Sequence, residues 1–260
     1  MRKLVQVSKG LIHNYTKVPE IREMFDLLQN DLEVQSYLQM SNIMAVERFL
    51  YNDHGPLHAE IVSGSALEIF KLISDRVEPS VIEDWGADYV DAQIVVLCGS
   101  YLHDVGNSIH RINHEYSSCF LANPILERLL IEIYPDDPVK VYRLRSEILH
   151  CIYAHNEEIP CLSIEAGVTK VADGTDMAQG RTRIPYMHGK TDIHSLSAGA
   201  IEKVLIQRGD GRPVLIKVEM NNPAGVYQIE EVLGKKLETS GIDDLIEIDV
   251  LIGGKETRVL

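Results

Sequence analysis

The chain has 260 residues, 45% apolar and 25% charged, with a net charge of −14 and a pI near 5.1, a composition that can bury a core. The acidic balance argues against a nucleic-acid duplex as the main partner, because that binding needs a basic face. A small phosphorylated substrate stays open, since a bound metal can supply positive charge locally.

No apolar run is long enough to span a membrane, and no signal core follows Met1. Cys98, Cys119, Cys151 and Cys161 form no CxxC pair. The expectation is a cytoplasmic protein with reduced thiols and no zinc ribbon or membrane partner.

In chain order, Pro19 opens a helix with Ile21, Met24, Phe25 and Leu28 on one face. Asp31 is placed to cap a second, over residues 31–50. Residues 52–56 read as a turn. A third helix carries Ile61, Leu67, Phe70 and Ile73, and residues 88–103 form a strongly apolar, central one. After a polar connection at 107–113, helices are expected over 114–121, 124–133, 138–155 and 163–179, the last capped by Ser163. From residue 201 the period changes to two. Val214, Ile216, Val218 and Met220 alternate with Lys217 and Glu219, and Ile246, Ile248, Val250 and Ile252 alternate with Glu247 and Asp249. With a weaker strand at 201–207, a turn at 208–212 and a helix capped by Asn222-Pro223, the tail reads as a ββαβ unit.

The fold class is therefore mainly α, a helical domain over 1–192 with a small α+β domain over 193–260. That tail is thin for an independent core. It is expected to dock on the helices or pair with a second copy, which makes a homo-oligomer, a dimer, the expected assembly. Its order is similar to half of a ferredoxin-like or ACT-type regulatory unit.

Histidine usage is the informative feature. Seven of ten histidines fall between residues 54 and 155, and histidine is the commonest metal ligand. His103-Asp104 ends the central apolar helix. Neighbouring side chains on a regular helix diverge by about 100°, but at a helix end the turning chain can aim both at one ion. His58 lies after the Gly-Pro turn. Asp173 lies in an apolar helical stretch, where a carboxylate is costly unless paired or ligating. Two histidines and two aspartates from three helices suit an octahedral Mn, Fe, Mg or Co site.

In this order, His58, His103-Asp104 and Asp173, the chain resembles the HD-domain metal-dependent phosphohydrolases over roughly residues 50–190. His103-Asp104-Val105-Gly106 is similar to the family's His-Asp-x-Gly, and Ala172-Asp173-Gly174-Thr175-Asp176 to its Ala-Asp-x-x-Asp. The resemblance implies an HD-type helical bundle and one or two divalent ions. It also implies hydrolysis of a nucleotide or other small phosphate ester by a metal-activated water, with Asp104 able to bridge two ions. It suggests His114 and His155 as second-metal ligands, and the small residue four after His114 as a point of helix approach.

His110 or His150 is expected to protonate the leaving group, although His150 lies about 140° around its helix from His155. Arg111, Asp176 and Arg181 are the expected substrate contacts, with Arg183 and Lys190 in a solvated loop. His13, His54, His188 and His194 read as surface or turn residues. Asn107 stands where several members carry Lys or His, and no Gly-Tyr-Pro motif of the cyclic-dinucleotide phosphodiesterases is present. No P-loop or HExxH pattern occurs. The same ligand set would serve a di-iron oxygenase, or a module that senses a nucleotide or metal without turnover.

Overall fold

Asp31 shows how the sequence sets its own boundaries. Its carboxylate accepts from the amides of Glu33 and Val34, both at 3.0 Å, and so starts a new helix where the preceding one stops. The computed structural model describes residues 4–178, 197 and 199–257.

Within them the helices are α1 (Pro19–Asn30), α2 (Leu32–Asn42), α3 (Pro56–Ser74), α4 (Ser80–Trp85), α5 (Tyr89–Leu102), α6 (His114–Ile133), α7 (Pro138–Ala154) and α8 (Ile164–Thr175). The strands are β1 (Val5–Gln6), β2 (Ile201–Arg208), β3 (Val214–Met220), β4 (Ile246–Ile252) and β5 (Lys255–Thr257).

α5 is the axis. Every residue from Asp91 to Leu102 is buried, with α3, α7 and α8 packed around it. Asp88 starts it with a reciprocal capping box to Asp91. Ser163 caps α8 by accepting from the Ala166 amide.

The sheet order is β1-β2-β3-β4-β5, antiparallel except for the β3–β4 pair. The helical segments Val226–Gln228, Ile229–Gly234 and Lys235–Glu238 form the tail helix that joins β3 to the parallel β4. Val214, Ile216, Val218, Ile246, Ile248 and Val250 are all buried, as the two-residue alternation requires. β2 and β3 lie against α3, and the buried apolar residues of sheet and helices form one cluster. Both sheet edges are very short strands, a device that discourages pairing with other chains.

Several boundaries differ from the sequence reading. The helices expected at 114–121 and 124–133 are one, α6, with Pro124 inside it. Proline removes an amide donor, but Pro124 and Phe120 are both exposed, so water can serve the orphaned carbonyl. The second helix ends at Asn42 and passes into a π-helical turn, Ile43–Arg48, before Leu50 takes a positive φ of 55°. α8 stops at Thr175. β1, β5, α4 and a 3-10 turn at Lys9–Asn14 are too short to leave a periodic signal.

Candidate metal centre

The site forms where helix ends meet. His58 stands in the first turn of α3, His103 caps the end of α5, and His114 opens α6. His155 caps the end of α7, and Asp173 and Asp176 close α8. The chain makes the critical turn at Asp104, whose backbone (φ −106°, ψ 2°) has left the helix. That brings His103 Nε2 and Asp104 Oδ2 to 3.3 Å, although regular helical geometry would splay them. Gly106 makes the next turn possible. A Cβ there would lie 2.1 Å from the His114 carbonyl and 2.3 Å from the Ser118 amide. The Gly106 amide instead donates to Ser118 Oγ at 2.8 Å, so the small residue four after His114 does admit close approach.

Asp104 divides its oxygens between two groups. Oδ2 faces His103, His58 at 3.5 Å and His54 at 3.9 Å. Oδ1 faces His114 at 3.3 Å and His155 at 3.8 Å. Asp173 Oδ1 completes the first group, 3.2 Å from His58 Nε2 and 3.6 Å from His103 Nε2. All five imidazoles present Nε2 to the centre, because each gives Nδ1 to an oxygen. His58 uses Asp176 Oδ2 (2.7 Å), His103 the Ser100 carbonyl (2.8 Å), His155 the Ile152 carbonyl (2.5 Å), His114 the Arg111 carbonyl (3.1 Å) and His54 the Asn52 carbonyl (2.7 Å). Such outer hydrogen bonds fix tautomer and orientation in metal sites.

The result places His58 Nε2 3.3 Å from His103 Nε2, and His114 Nε2 3.0 Å from His155 Nε2. Lone pairs converging so closely in a buried pocket need a cation among them. His58, His103 and Asp173, and again His103, Asp104 and His155, converge tightly enough to hold one. The donor set therefore fits divalent metal.

The electrostatics agree. Burial opposes charge on His103, but the Asp104 and Asp173 carboxylates beside it win and raise its pKa to about 9. A proton there does part of a cation's work. Burial would raise Asp104 and Asp173, yet His103 and His54 hold Asp104, and Lys236 and His103 hold Asp173, well below the usual carboxylate range. Burial, together with His103 and His114 nearby, pushes His155 well below an ordinary imidazole.

The other expected site residues are distributed unevenly. Asp176 stands behind His58 as its hydrogen-bond partner. Arg111 is at the rim, 3.2 Å from His114 Nε2 and 3.9 Å from Asp104 Oδ1. His110 is exposed, accepts from the Ile112 amide and sets its ring edge-on to Phe49. His150 accepts from the Leu162 amide at 3.0 Å. The described contacts of both lie away from the Asp104 cluster. Arg181, Arg183, Lys190, His188 and His194 lie outside the described residues.

Three contributors were not legible as such. His54, expected in a surface turn, is buried beside Asp104, because Asn42 accepts its backbone amide and draws the turn inward. Asn107, where relatives differ, donates to Asp104 Oδ1 at 2.8 Å. Lys236 reaches Asp173 from the tail helix, and no sequence signal marks it.

The HD domain model matches residues 54–178, the stretch that carries every one of these donors except Lys236. An uncharacterized protein of Methanocaldococcus jannaschii, MJ1020, is 46% identical over 226 residues, 86% of either chain. The chain belongs to the HD-domain family. That family is one of metal-dependent phosphohydrolases in general. No solved structure matches the chain. Among the described residues no helix is long and apolar enough to cross a membrane.

Proposed function

We propose that this HD-domain protein hydrolyses a small phosphate ester, with a nucleotide as the favoured substrate class, at a centre that holds two divalent ions. The observation that carries the reading is the division of Asp104 between two imidazole groups. His58, His103, Asp173 and Asp104 Oδ2 would hold one ion, with His54 in reserve, and His114, His155 and Asp104 Oδ1 the other. Mixed imidazole and carboxylate donors suit Mn, Fe or Co, and Mg less well. Divalent ions so held acidify water and neutralise phosphoryl charge.

The protein's own groups do the remainder. Asp176, Ser100, Ile152 and Arg111 fix the imidazoles through Nδ1. Asn107 fixes Asp104. The Arg111 guanidinium at the rim offers a planar donor fork to a phosphoryl group. The choice of nucleotide rests on likeness to the family.

Metal content of the purified protein, measured beside Asp104→Ala, tests this, with phosphate release from a nucleotide and phosphoester panel as the second readout. About two equivalents of Mn, Fe or Co, lost in the variant and accompanied by turnover, are expected. A single equivalent would remove His114 and His155 from direct ligation. No metal even after reconstitution would sink the hydrolase reading.

A further inference from the structure

The tail helix delivers one ammonium to both halves of the metal centre. Lys236 Nζ donates to Asp173 Oδ2 at 2.9 Å and to the His155 carbonyl at 2.9 Å. Both its side chain and that of Asp173 are largely shielded from water, at 12% exposure each. Lys236 itself lies outside residues 54–178 that match the family model.

The dock is built for close approach. A Cβ on Gly167 would lie 2.4 Å from the Ser240 carbonyl, and one on Gly174 would lie 3.0 Å from Leu233 Cδ1 and 3.3 Å from Lys236 Cδ. Gly167, Lys170 and Gly174, three and four residues apart, share one face of α8. Between the glycines, the buried Lys170 ammonium donates to Thr239 Oγ1 at 2.8 Å and to the Ile159 carbonyl at 2.5 Å. The Cys161 amide donates to the Thr239 carbonyl at 2.9 Å. These bonds fix the helix that bears Lys236 against α8.

We infer that Lys236 is a positioning residue of the metal centre. It occupies the outer oxygen of Asp173, so that Oδ1 alone is presented to His58 and His103, and it ties down the backbone of the second group's His155. The C-terminal unit is thus part of the site and not an appendage to it. The inference rests on reading the cluster as a metal centre, and it adds that metal affinity depends on a residue about 60 positions beyond Asp173.

The test uses the full chain, stripped of metal and titrated calorimetrically with Mn(II), as wild type, Lys236→Met and, for control, Lys235→Met at the exposed neighbouring lysine. Removing an outer partner of a ligand typically costs about 10–100-fold in metal affinity. That loss is expected in Lys236→Met, with the metal-free protein still folded by circular dichroism though melting lower, since Asp173 loses its buried cation, and with Lys235→Met behaving as wild type. Equal Mn affinity in wild type and Lys236→Met would overturn the inference and leave the hydrolase reading standing. A wild type that takes up no metal would overturn both. Should Lys236→Met fail to fold, Gly174→Ala, which crowds Lys236 Cδ without removing its charge, is expected to weaken Mn binding, and unchanged affinity there would overturn the inference equally.

Discussion

At Asp104 the decisive fact is that each carboxylate oxygen has its own set of imidazoles. Such an arrangement survives only if every imidazole is held by its far nitrogen. Asp176 does this for His58 with a charged acceptor at 2.7 Å, and Glu115 stands 3.1 Å from His114 Nδ1, whereas His103, His155 and His54 lean on main-chain carbonyls. Asp176→Asn is therefore expected to weaken the binding of the first ion by about 10–100-fold while barely changing the stability of the metal-free chain. Metal titration beside thermal melting checks this, and an unchanged first binding step would contradict it. His54 makes the same point from the other side. Its sequence context, Asn-Asp-His-Gly-Pro, spells a turn, and the segment is irregular with a bend at Gly55 before α3 begins. Only the packing of that turn against Asn42 decides that its imidazole faces inward.

Single elements carry their own predictions. Asp31 caps α2 and pairs with Arg128. Burial acts to raise its pKa, but the Arg128 hydrogen bond and the capped amides outweigh this and lower it. A carboxyl lowered on folding stabilises fully above its unfolded pKa of about 3.9. That stabilisation is lost as pH falls through the lower, folded value. Asp31→Ala should then cost about 1–2 kcal/mol at neutral pH, and the gap should close in acid. Urea unfolding of both proteins across a pH series reads it, and a gap that persists at low pH would refute the linkage.

Gly106 is less forgiving. With a Cβ 2.1 Å from a backbone carbonyl, Gly106→Ala must displace α6 and with it His114. We expect a large loss of stability together with loss of the second metal equivalent, by melting and metal analysis. Pro124 points the other way. Its ring sits in an exposed helix interior, so Pro124→Ala should raise the melting temperature by restoring an amide donor; a lower one would mean that α6 needs the bend a proline imposes.

Across the whole molecule, the buried apolar residues run without a break from the helices into the sheet, β1 pairs with β2, and Arg208 pairs with Asp75 at the end of α3. A chain cut at residue 192, the boundary expected from the change of hydrophobic period, would leave β1 unpaired and the Gly167–Gly174 face of α8 open to water. We expect one cooperative unfolding transition for the intact chain, and a cut chain that aggregates and binds no metal. Calorimetry and size-exclusion chromatography decide, and a well-folded, metal-binding fragment would show the sheet to be dispensable.

The division between sequence and structure follows from the range of the forces involved. Capping at Asp31, Ser163 and Asn222, the alternation of β3 and β4, and the helical periods around His58, His103-Asp104 and Asp173 are set by neighbours within a turn or a strand, so they were readable from the sequence. The candidate donors His58, His103, Asp104 and Asp173 could be singled out too, because a buried histidine and aspartate need each other or a metal, and the structure brings them together. The path of α6 through Pro124, the inward turn of His54, the hydrogen bond of Asp176 to His58, and the reach of Lys236 to Asp173 were not readable. Each depends on which surfaces the helices present to one another once packed, and that is fixed by close contacts between residues far apart in the chain.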